Sequence, residues 1–151
     1  MEITSIKVAE IQLSYKPKLK LSELPIITQS NDAYLLLKSS WDEMKIGFLE
    51  EFKIILLNRA NKVLGICPIS LGGISGTIAD PKLIFATAFK ASASGIILAH
   101  NHPSGNLKPS QPDIQLTKKL VEAGKFLDLG ILDHLIIGSE EYLSFADEGL
   151  L

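Results

Sequence analysis

Two of the chain's three histidines, His100 and His102, stand one residue apart in "LAHNHPSGNLKPSQPD", residues 98–113. The stretch leaves a hydrophobic run, "GIILA" (95–99), crosses a loop of proline, serine and glycine, and ends on Asp113. Three kinds of chemistry fit these residue types: a turn with a helix cap, a phosphate cradle, or a metal site. In an extended segment, residues i and i+2 point to the same side, so both imidazoles can meet at one point. Asp113 falls in the first turn of the next helical pattern, near its positive end, where a carboxylate stays ionised. Two neutral imidazoles and a carboxylate with an open fourth position form a recurring catalytic zinc set.

Each feature also has a plainer reading. Ser110-Gln111-Pro112-Asp113 resembles a capping box with Asp in place of Glu, which alone makes Asp113 a helix-start residue. A His-x-His pair does not by itself make a metal site. Both together, at the carboxyl end of a buried strand where α/β sites sit, favour the metal. The phosphate cradle is the weakest reading. "HPSGNLKPSQ" has one glycine and one lysine, and lacks the glycines and Lys-Ser/Thr pair of a Walker loop.

Metal-assisted hydrolysis also needs a general base outside the ligand set. Glu50 and Glu51 precede the apolar run "FKIILL" (52–57), and either one alone is an ordinary strand-end carboxylate. Beside a metal site, one of them is the candidate base. A one-residue slip decides which, because neighbours on a strand face opposite sides of the sheet.

The flanking patterns supply the elements that must hold these groups. "KVAEIQLSY" (7–15) alternates as a strand, "KPKLKLSELP" follows as an exposed connection, and Ser30 is the expected N-cap of a helix to about Trp41. Residues 42–48 carry no clear signal. "FKIILL" and "KVLGICPISL" flank the turn residues Asn58–Asn61 as a hairpin, and "GGISG" (72–76) reads as a loop. Asp80-Pro81 caps and starts a helix to about Lys90, and Ser110 caps another to about Leu127. In that second helix Ile114, Thr117, Leu120, Val121, Gly124 and Leu127 share helical spacing. "ILDHLIIG" (131–138) is a buried strand, and "EYLSFADEGLL" an edge strand and tail. Helices alternating with buried strands predict an α/β sandwich, a mixed sheet with helices on both faces.

A chain of 151 residues, 46% hydrophobic and 21% charged, predicts one globular domain rather than a disordered segment. Its formal charge of −2 gives no electrostatic case for nucleic acid. The single Cys67 excludes an internal disulfide framework and fits a reducing compartment. No signal peptide is read in "MEITSIKVAEIQ", and no apolar run approaches the ~18 residues of a membrane span. The expectation is a cytoplasmic protein with no membrane association. His134 reads as a core histidine or a partner of a ligand rather than a ligand. Cys67, Tyr34 and Trp41 read as packing residues, and Lys16, Lys18 and Lys20 as a solvated face.

A glutamate before an apolar strand, His-x-His-Pro, and Ser-x-x-Asp together match the JAMM motif of the JAB/MPN metalloprotease superfamily. "HNHPSGNLKPSQPD", "LDHLIIG" and "YLSFADEGLL" resemble the RadC family of bacterial JAB-domain proteins, often described as DNA repair proteins. The resemblance runs from Ser30 to the end, which leaves residues 1–29 as a lead-in strand and loop before a 30–151 domain. It implies a cytidine-deaminase-like α/β fold, with zinc on His100, His102 and Asp113 and water as fourth ligand. It implies Glu50 as the catalytic glutamate, with Glu51 as the slipped alternative, and Ser110 as the serine that steadies the water or an oxyanion.

The implied activity is zinc-dependent hydrolysis of a peptide or isopeptide bond in a peptide or protein substrate. The alternative is a DNA repair-associated accessory role, with the metal site structural or the substrate linked to nucleic acid. Three departures stand out. Asn101 separates the histidines, as in RadC proteins, where deubiquitinating members carry Ser or Thr. Lys82 replaces a common arginine. The residues before the match are too few for the helix-hairpin-helix module of full-length RadC proteins, since domains usually start near ~50 residues.

Overall fold

The computed structural model describes residues 9–12, 14–73 and 77–151. Five strands form one mixed sheet: β1 (Glu51–Leu57), β2 (Val63–Leu71), β3 (Gly95–Asn101), β4 (Gly130–Ile137) and β5 (Tyr142–Ser144). Their spatial order is β2-β1-β3-β4-β5. Among the described residues, only the β3–β4 pair is parallel. That pair is joined by helix α3 (Gln111–Phe126), as a parallel crossover requires. Helix α1 (Ser30–Ser40) covers one face of the sheet, and α2 (Pro81–Lys90) and α3 cover the other. The expected sandwich is the observed one.

Two cores follow from the alternation of side chains along the strands. Phe52, Ile54 and Leu56 of β1 and Ile96 and Leu98 of β3 pack with Ile84, Phe85 and Ala88 of α2 and Leu120 of α3. On the other face, Ile55, Leu57, Ile97 and Ala99 pack with Ala33, Tyr34, Leu37 and Trp41. Tyr34 and Trp41 are thus packing residues of the α1 layer. Each fully buried Leu or Ile contributes about 1.5–3 kcal/mol of transfer energy, which fixes the face each strand presents.

Lys53 interrupts the apolar run of β1 and is only 6% exposed. Its Nζ donates to Ser40 O at 2.7 Å and lies 4.5 Å from the Trp41 ring centroid. A cation is therefore accommodated on the α1 face by a helix-end carbonyl and an indole. Pro68 is tolerated in β2 because that strand lies at the sheet edge, beside a register shift between Phe52 and Lys53.

Several boundaries move. Gln29, not Ser30, is the N-cap of α1: Asp32 Oδ2 accepts from Gln29 N, while the Ser30 hydroxyl lies 2.5 Å from Asp147 Oδ2. The competing tertiary partner draws the serine out of the cap. Strand β3 continues through His100, which pairs with Phe52 of β1 and Ile136 of β4, and through Asn101, which pairs with Ile137 of β4. The connection after residue 20 contains a short 3₁₀ turn, Leu21–Glu23. The strand expected over 7–15 falls partly outside the described residues, and none forms in 9–12 or 14–15. Ile74–Gly76 of the expected "GGISG" loop also lie outside them.

The junction of α3 with β4 depends on Gly124. A Cβ there would lie 2.2 Å from Leu129 O, and Gly124 O accepts from both Leu127 N and Leu129 N. Gly124→Ala is expected to lower unfolding free energy by roughly 1–3 kcal/mol in urea titration, despite alanine's better helix propensity. Unchanged or raised stability would contradict the close packing of this turn.

Candidate metal centre

His100, next to last in the buried β3 strand, is 1% exposed, with its ring parallel to Phe52 at a centroid distance of 5.9 Å. His102 lies just past the strand end. Gly105 then turns the chain at φ +79°, a conformation that favours glycine, and Gly105 N donates to His102 O. The turn brings Asn106 O to 2.5 Å from His102 Nδ1. The chain next reaches Ser110, the N-cap of α3, whose Oγ accepts from Asp113 N while Asp113 Oδ2 accepts from Ser110 N. The capping box is thus formed, and its carboxylate also faces the histidines.

His100 Nε2 lies 3.3 Å from Asp113 Oδ1, His102 Nε2 lies 3.4 Å from Asp113 Oδ2, and the two Nε2 atoms are 2.9 Å apart. One ligand-type atom from each residue lies within 4.8 Å of the others. Asn106 O can only accept, so His102 Nδ1 carries the proton and a neutral His102 offers a lone pair at Nε2. Two Nε2 atoms and a carboxylate meeting this closely repel one another unless a positive charge, a proton or a metal ion, lies between them. The residues therefore fit a divalent ion of the type that takes imidazole and carboxylate ligands.

The protonation equilibria express the same demand. Burial works to raise the Asp113 carboxyl, but hydrogen bonds with His100 and His102 outweigh it and hold it well below the usual carboxylate range. The Asp113 hydrogen bond raises His102 above its ordinary value. His134 is pushed well below its ordinary value, first by complete burial and then by the charge of His100.

A cavity of about 640 Å³ opens onto this group, and Glu50, Gly73, Thr77, Ile78, His102, Ser110, Pro112 and Asp113 line it. Phe52 is paired with His100, and the same register continued two residues sets Glu50 across from His102. Glu51 faces the opposite layer, where its Oε1 lies 3.6 Å from Lys53 Nζ. Of the two glutamates, the structure brings Glu50 to the cavity and turns Glu51 away from it.

A family profile described as a RadC-like JAB domain matches residues 27–150. The chain belongs to that family. A UPF0758 protein of Flavobacterium johnsoniae is 44% identical over 144 residues, covering 95% of this chain and 62% of the relative. One from Porphyromonas gingivalis is 42% identical over 145 residues, covering 95% of this chain and 63% of its own length. One from Moorella thermoacetica is 46% identical over 110 residues, or 73% of this chain and 48% of that protein. The chain thus spans less than two thirds of these relatives. No helix among the described residues is long and apolar enough to cross a membrane.

Within this RadC-like domain, sequence reasoning passed over the role of Asn101. Its side chain is fully buried; Oδ1 accepts from Glu51 N at 2.7 Å, and Nδ2 donates to Ile46 O and Leu49 O at 2.8 Å each. One amide between two histidines therefore clasps both neighbours of Glu50. The available signal was parity: a residue between two same-side histidines must face the other side of the sheet.

Two outcomes are expected. After zinc reconstitution, metal analysis gives about one equivalent for the wild type and none retained in His100→Ala/His102→Ala. Equal retention would sink the ligand assignment. Asn101→Ala leaves Glu51 N and two carbonyls without their partner, and should cost roughly 2–4 kcal/mol in urea unfolding. A change within experimental error would remove its clasping role.

Proposed function

We propose that this domain is a metal-dependent hydrolase that directs water at a peptide or isopeptide carbonyl. The observation that carries the reading is the shared cavity wall. Glu50 and Ser110 border the same space as His102 and Asp113, and neither is one of the three clustered ligand-type residues. A zinc ion held by His100, His102 and Asp113 would supply Lewis acidity, which lowers the pKa of water to about 7.

The chain's own residues account for the remaining proton movements. Glu50, half-buried at the mouth of β1, takes a proton from the attacking water and returns it to the departing nitrogen. Ser110 Oγ already accepts from Asp113 N, so its hydroxyl proton can be donated to the substrate carbonyl oxygen as negative charge develops. Asp113 stays ionised without help from solvent, because the α3 N-terminus and the Ser110 amide both favour its charged form. The substrate enters past Thr77 and Ile78, and Ile78 is 90% exposed at the rim.

The test is a zinc-reconstituted preparation assayed against a peptide library and isopeptide-linked peptides. Glu50→Gln should lower turnover about 10²–10⁴-fold while zinc content is kept, and Glu51→Gln should leave turnover within a few-fold. Equal loss in both variants, or no chelator-sensitive cleavage by the wild type, would overturn the reading.

A further inference from the structure

His100 has a second ring nitrogen, and a chain of buried side chains occupies it. Nδ1 lies 2.8 Å from Nε2 of His134, on the neighbouring strand β4. His134 Nδ1 lies 2.6 Å from Thr117 Oγ1, and that hydroxyl lies 2.7 Å from Asp113 O, one helical turn back in α3. His134 is 0% exposed and Thr117 1% exposed, so water does not compete for these bonds.

The direction of each bond follows from its far end. A backbone carbonyl only accepts, so the single hydroxyl proton of Thr117 goes to Asp113 O. Toward His134 the same oxygen must accept, which puts a proton on His134 Nδ1. The His134 ring is packed between Phe52 and Phe145, and among the described residues no carboxylate bonds to it. A second ring proton would leave a cation without a counter-charge in the core. His134 Nε2 therefore offers a lone pair, and His100 Nδ1 donates to it. His100 is left with its lone pair on Nε2, the atom that faces His102 and Asp113.

We propose that Thr117 is a positioning residue for two of the three ligands at once. Through His134 it fixes His100 as an Nε2 ligand. Through the Asp113 carbonyl it fixes the helical turn that aims the Asp113 carboxylate. The proposal rests on reading the cluster as a metal centre, but it does not require any hydrolytic activity. It also gives His134 a purpose that simple core packing would not: an apolar side chain of similar size could fill the space but could not pass the hydrogen-bond direction along.

The experiment compares wild type, Thr117→Val and Thr117→Ser by zinc competition with a chromophoric chelator. Long-range ¹H–¹⁵N correlation of the imidazoles is recorded with and without zinc. Thr117→Val, close in shape, should weaken zinc binding about 10–100-fold, and Thr117→Ser should restore most of it. In the wild type, His134 should show a proton on Nδ1 and a bare Nε2, with or without zinc. A proton on His134 Nε2 and none on Nδ1, or zinc binding by Thr117→Val equal to wild type, would overturn the proposal. If the wild type binds no zinc, the metal reading falls, and the His134 tautomer in the metal-free protein still decides the relay. The same wild-type spectrum decides it if Thr117→Val fails to fold.

Discussion

The antiparallel register of β1 on β3, with Phe52 opposite His100, is the constraint on which the site depends. Strand side chains alternate, so this register sorts residues between two environments. Glu50, Phe52 and His100 go to the layer with α2 and α3, while Glu51, Lys53 and Asn101 go to the layer with α1. A slip of one residue would exchange the two glutamates and bury the wrong one. The register resists slipping because each face is sealed by its own core, and a shift would expose both. Asn101 adds a second lock at the strand end, where the ladder itself gives out.

The other half of the site depends on a helix terminus. Asp113 sits at N3 of α3, closes a capping box with Ser110, and meets both Nε2 atoms with its oxygens. One carboxylate thus serves the cap and the cluster together: Oδ2 accepts from Ser110 N and also faces His102, while Oδ1 faces His100. The α3 dipole and the Ser110 amide favour the anion, and the anion in turn favours a cation among the imidazoles. Thr117 joins this helix to β4 and through it to β3, so His100 and Asp113 are tied to regular elements, while His102 is held by the loop through Asn106 O.

Much of this was legible in the sequence for reasons of period and chemistry. The His100–Asp113 stretch, the Asp80-Pro81 helix start, the hairpin around Asn58–Asn61 and the helix after Ser110 each carry local signals, and local physics decides them. The choice of Glu50 over Glu51 as the residue at the cavity required the register, which no single strand contains. Asn101 and Thr117 were harder still. Asn101 satisfies groups in residues 46–51, a segment with weak signals of its own, and Thr117 matters only once β4 is known to lie beside β3. The Ser30 cap failed for a similar reason, since Asp147 and Tyr142 bid for its hydroxyl from the far end of the chain.

The chain belongs to the RadC-like JAB family, and the fold brings ligand-type atoms of His100, His102 and Asp113 within 4.8 Å of one another. In the proposed centre, His100, His102 and Asp113 are the metal's protein ligands. X-ray absorption at the zinc edge of the reconstituted protein tests it most directly. Two imidazole nitrogens are expected at about 2.0–2.1 Å, with oxygen making up the rest of the shell. A sulfur at about 2.3 Å, which only Cys67 or the methionines could provide, or a shell without imidazole, would contradict it.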